Sequence, residues 1–118
     1  MMHEKVNQTL VDSRKTLLAL LESKAQLTKF AFEEHAGSDE RRSILNVLNF
    51  QEFVAAGIRE KAFDEPMYKR IQFSVVTRDW NVCKGFIMEL RKSRNRPTLF
   101  QEFQWLAERW LADRLKVA

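Results

Sequence analysis

Ser38-Asp39-Glu40-Arg41-Arg42-Ser43-Ile44-Leu45-Asn46-Val47-Leu48-Asn49-Phe50-Gln51-Glu52-Phe53-Val54-Ala55-Ala56-Gly57-Ile58 is the stretch on which the fold turns. Ser38 is a good helix cap, and Asp39 and Glu40 place negative charge in the first turn, where the helix dipole favours it. On a 100° wheel Ile44, Val47, Leu48, Val54, Ala55 and Ile58 share one arc of about 160°, while Leu45, Phe50 and Phe53 add apolar residues beyond its edges. A helix apolar over so much of its circumference sits centrally and touches neighbours on several sides. Gly57 lies in its interior, where it costs about 1 kcal/mol relative to Ala, which predicts close approach of another helix at that point. Gln51 falls inside the arc, with Asn49 and Glu52 at its flank. A buried carboxylate needs a partner, so Glu52 is expected to meet a cation from another helix: Arg91 first, Arg78 second. That Glu52–Arg91 pair would serve as a structural lock.

Upstream, Met2 to His35 reads as one long helix ended by Ala36-Gly37, roughly 50 Å at 1.5 Å per residue. Val6, Leu10, Ser13, Leu17, Leu20, Lys24, Leu27 and Ala31 follow a three-four spacing, a partial coiled-coil seam weakened at Ser13 and Lys24. The stripe serves either packing along this chain's own bundle or self-association, and 1–37 is the candidate oligomerisation arm. Downstream, Phe63-Asp64-Glu65-Pro66 marks a cap with Pro in the first turn, followed by an amphipathic helix through Met67, Tyr68, Ile71 and Val75. Propensity does not decide whether this helix breaks near Thr77 to Asp79. A fourth helix carries Trp80, Cys83, Phe86, Ile87 and Leu90, and Pro97 opens a fifth with Leu99, Phe103, Leu106, Trp110 and Leu111. The expected fold is all-α: one domain over 1–118, a bundle of about five helices, with the long first helix leading into a helical core from residue 38.

At 118 residues, 45% of them hydrophobic and 31% charged, the chain supports one core and no more. Its lone Cys83 forbids an intrachain disulfide and fits a reducing, cytoplasmic setting. The longest uncharged run, Ser43 to Gln51, falls far short of the ~20 apolar residues of a membrane span. The net charge is +4, and residues 66–118 hold eleven Lys and Arg against five acids. Lys84, Arg91, Lys92, Arg94 and Arg96 form a candidate basic patch for phosphates, although no reading element accompanies them.

Catalytic signatures are missing. His3 and His35 sit at helix ends, Cys83 lies on an apolar face, and no phosphate-cradling glycine loop or Glu-x-x-His pair occurs. No enzyme, cofactor or metal site is expected. Trp105 falls opposite the apolar stripe of its helix, beside Arg109, and Trp and Arg dominate interface energetics; its other reading is packing against the first helix. Leu10, Leu17, Leu20, Leu27, Trp105 and Arg109 are therefore the candidate interface. The functional expectation is a helical protein-interaction module that forms a homodimer and binds another protein. Nucleic-acid binding through the basic half is the alternative.

Leu48-Asn49-x-x-Glu52-Phe53-x-Ala55-x-Gly57-Ile58, Trp80 followed by Phe86-Ile87 and Arg91, and Pro97 leading into Phe103 and Trp110 together resemble an uncharacterised bacterial and phage family known only as a domain of unknown function. The resemblance runs from about Arg41 to Leu111 and implies a small helical module of bacterial or phage origin. In that family the helical domain often follows a membrane helix, where this chain has the charged segment 2–35. The family has no established activity, so the resemblance carries over no site residue.

Overall fold

The structure, a computed structural model, describes the backbone of residues 2–114 and the side chains of residues 8–114. The readings on the side chains of His3 and Val6, and the chain end at 115–118, lie outside the described residues. Four α-helices and two short 3-10 turns follow one another: α1 Met2–Glu22, turns at Leu27–Ala31 and Glu33–His35, α2 Asp39–Arg59, α3 Glu65–Arg94 and α4 Gln101–Ala112. The described residues contain no strand.

Two expectations need correction. The first helix stops at Glu22 rather than His35, because Lys24 turns left-handed at φ 60°. There the Ala25 amide bonds the Leu20 carbonyl and the Lys24 amide bonds that of Leu21, both at 3.0 Å, which closes the helix end. Gly37, the expected terminator, has no positive φ. Likewise the third and fourth helices are one: α3 runs unbroken for 30 residues through Thr77 to Asp79. At 1.5 Å per residue it is about 45 Å long, which matches the largest dimension of the molecule, 45 Å. Four α-helices therefore stand where about five were expected.

Lys61 (φ 62°) and Asn95 (φ 50°) end α2 and α3 in the same way as Lys24 ends α1. In each case the next amide, of Ala62 or Arg96, reaches back to Gly57 or Arg91 at 2.8 and 2.9 Å. Glycine is the residue best suited to this position, and none of the three sites has it. That is why the glycine signal misplaced the end of the first helix.

α1 lies along α2, α2 against α4, and the Leu27–Ala31 turn across α3. Within the expected arm, the part from Leu17 to Ala31 folds onto the core instead of projecting: Leu17, Leu27, Phe30 and Ala31 are buried with Ile44, Val47 and Leu48 of α2. The weak points of the seam have structural roles. Ser13 is buried and accepts a hydrogen bond from Asn46 Nδ2 at 3.1 Å, and Lys24 is the left-handed helix end. α2 is the centre of the fold, as its arc requires, with Ile44, Val47, Leu48 and Ala55 fully enclosed.

Two charged side chains are buried among the described residues, Arg41 and Asp79, and Asp79 joins the helices. Asp79, with no exposed surface, receives Arg14 Nη2 from α1 at 2.9 Å and Gln51 Nε2 from α2 at 2.9 Å. Arg78 adds a longer contact at 3.4 Å. Gln51 is indeed buried, so this carboxylate ties three helices to one point.

Candidate interaction surface

Glu52 does not meet Arg91. Its Oε1 accepts the Phe103 amide at 2.8 Å and its Oε2 the Glu102 amide at 3.4 Å. These are the second and third N–H groups of α4, the ones an N-cap side chain ordinarily satisfies. The residue in the cap position, Phe100, is left-handed and offers no side-chain bond, so a carboxylate on α2 does the capping. Arg91 serves the same joint from the other side: its Nε donates to the Leu99 carbonyl at 2.8 Å and pins the turn before α4. Arg78, the second choice for Glu52, turns to Asp79 instead. The cation was the wrong partner because helix-start amides satisfy a carboxylate equally well. Glu52→Ala should therefore cost about 1–2 kcal/mol in urea denaturation. A double-mutant cycle of Glu52 and Arg91 that returned strong coupling would contradict this account.

Of the expected interface residues, Leu17 and Leu27 are 1% and 3% exposed within this chain. Leu20 packs partly buried against the core and Leu10 is half-buried. Leu17 and Leu27 are spent on this chain's own packing, which removes these two as a surface for a second molecule. Trp105 packs against the core. It lies half-buried with the Arg59 guanidinium 4.4 Å and that of Arg109 5.6 Å from its ring centre. Arg59 also pairs with Glu102 at 3.1 Å.

Arg109 makes a bidentate pair with Glu65, at 2.8 and 3.1 Å, and Trp110 Nε1 donates to the same carboxylate at 2.9 Å. The Arg109 hydrogen bonds hold the Glu65 carboxyl below the usual glutamate range, against an opposing push from partial burial and with further help from Trp110. A carboxyl lowered in the fold stabilises it fully above its unfolded value, and that contribution disappears as pH falls through the lowered one. Below about pH 4.3 the wild-type melting temperature should fall more steeply than that of Glu65→Gln. Parallel acid limbs would contradict the assignment.

The surface that sequence reasoning missed lies on the other side of the α2–α3 loop. Phe53 and Val54 from α2, Ala62 and Phe63 from the loop, and Met67, Tyr68 and Ile71 from the first turns of α3 line an apolar groove of about 440 Å³. Ile71 is 68% exposed, Phe53 65%, Met67 53% and Phe63 39%. The groove exists because Gly57 has no side chain. A Cβ there would strike the Phe63 ring, so the close approach expected at Gly57 is made by a loop phenylalanine and not by a helix. Phe63 then stands against Phe53 with ring centres 5.7 Å apart. The position of Phe53 outside the buried arc was the available signal. Met67 and Ile71 looked like a core stripe because they recur at helical spacing.

Lys84, Lys92, Arg94 and Arg96 are exposed, while Arg91 is partly buried and engaged with Leu99. Cys83 is fully enclosed, and burial, reinforced by the nearby Asp79 charge, pushes its thiol up to about 12. Among the described residues no helix is long and apolar enough to cross a membrane.

No curated protein and no solved structure matches the chain. A family model described as Domain of unknown function (DUF4760) matches residues 1–110, nearly all of the four-helix fold. The chain belongs to that family.

Proposed function

We propose that this protein is a non-enzymatic helical module of bacterial or phage origin that works in the cytoplasm by docking protein surfaces. One observation carries the reading: four large apolar side chains, Phe53, Phe63, Met67 and Ile71, stand in solvent along a single groove. The patch is of the size of the largest apolar patch on an ordinary monomer, and such patches are often functional. Beside it Trp105, Arg59 and Arg109 supply the residue types that dominate interface energetics. Co-purification from host extract tests the reading. Wild-type protein should retain partners that Ile71→Glu and Trp105→Ala lose, whereas a variant neutralised at Lys92, Arg94 and Arg96 retains them. Identical retained sets for all variants would overturn it.

A second reading, nucleic-acid binding, draws support from Lys84, Lys92, Arg94 and Arg96. All four are exposed towards one end of α3, with no ion pair to any described residue. Phosphate binding by these groups would weaken steeply with salt. A titration of short DNA and RNA duplexes that shows no affinity at low salt would dismiss it.

A further inference from the structure

We infer that the groove between α2 and α3 is filled by the same groove of a second copy of this chain, in a twofold dimer; this rests on the reading of the protein as a docking module. The first argument is area. A large aromatic side chain presents about 150–250 Å², so the exposed fractions of Phe53, Phe63, Met67 and Ile71 leave roughly 400 Å² of apolar surface per copy. At the apolar share usual for interfaces, two such faces make a contact of roughly 1,200–1,400 Å² in total, the lower end of what a specific dimer needs.

The second argument is charge. An isologous contact sets a face against itself, so a rim of one sign would repel its own copy. Glu60, Lys61, Asp64 and Arg70, the exposed charged residues adjoining the groove in the chain, are two acids and two bases. Such a rim carries no net charge to select an acidic or a basic partner, and a twofold can set each acid against a base.

The third argument is shape. A cavity of about 150 Å³ holds a benzene ring, so the groove's volume of about 440 Å³ admits more than one large side chain. Ile71 and Phe53, the two most exposed of the four, stand on opposite elements of the groove. Facing copies can thus exchange them, the Ile71 of each entering the groove of the other.

Analytical ultracentrifugation of the full chain tests this, from micromolar to near-millimolar concentration, with Ile71→Glu and Phe53→Ser as variants and circular dichroism to show that each is folded. Wild-type protein should pass from monomer to dimer within that range, and the association should persist in molar sodium chloride because it is apolar. Both variants should stay monomeric, at least tenfold weaker in association. A dimer that survives Ile71→Glu and Phe53→Ser overturns the inference, as does a wild-type protein that stays monomeric throughout. Bis-ANS fluorescence separates the two levels of argument. A monomeric wild type that binds the dye where Ile71→Glu does not overturns the second-copy inference alone, and equal dye binding by both overturns the docking module as well.

Discussion

Arg14→Met lowers the unfolding free energy by about 3 kcal/mol. The reason is the carboxylate it abandons. Asp79 has no exposed surface, and without Arg14 its side-chain donors among the described residues are Gln51 and, at 3.4 Å, Arg78. Removing one partner of a buried ion pair costs far more than the pair is worth, because the charge left behind cannot reach water. The same physics predicts partial rescue. Arg14→Met combined with Gln51→Met and Asp79→Leu removes the charge together with both groups that serve it, and most of the lost stability should return. Urea denaturation of wild type, Arg14→Met and the triple variant measures both effects. An Arg14→Met loss below about 1 kcal/mol would mean that the pair behaves as a surface contact.

Trp110→Ala is expected to cost about 4 kcal/mol, a fall in melting temperature of more than about 15 °C for a domain of this size. The indole is fully enclosed, stacks on Phe73 at 6.3 Å and leans on Tyr68 at 6.1 Å. Its N–H is also one of the donors that hold Glu65, so the substitution leaves a cavity and takes a hydrogen bond from a carboxylate. Trp105→Ala on the same helix should cost only about 1 kcal/mol, since that ring is half-buried between guanidinium groups. Differential scanning calorimetry of the two variants separates a structural tryptophan from a surface one. Equal losses would contradict their assigned places.

How far the chain could be read depended on whether the deciding contact was local. The cap at Ser38, the central role of α2 and the burial of Gln51 follow from neighbours within a few turns, and the structure has all three. The ends of α1 and the continuity of α3 do not. Lysine in a left-handed helix end carries no compositional mark, and propensity left the stretch from Thr77 to Asp79 undecided because the residues that satisfy Asp79 are 65 and 28 positions away. Glu52 stood in the right region with the wrong partner: α4 amides and Arg91 converge on the same joint, and spacing alone does not rank an amide against a guanidinium. The groove was hidden for a related reason. Met67 and Ile71 have the periodicity of a core stripe, and only tertiary placement shows that their face is left open.

The crossing of the Leu27–Ala31 turn over α3 sets a rule for how this family can diverge. A methyl group at position 85 would collide with the Thr28 hydroxyl oxygen, whereas the Thr28 Cβ lies an ordinary 3.8 Å away. Gly85→Ala alone should therefore lower the melting temperature, and Gly85→Ala with Thr28→Ala should restore it. Positions 28 and 85 are thus coupled: a descendant that gains a side chain at 85 keeps the crossing when the hydroxyl at 28 is lost or turned aside.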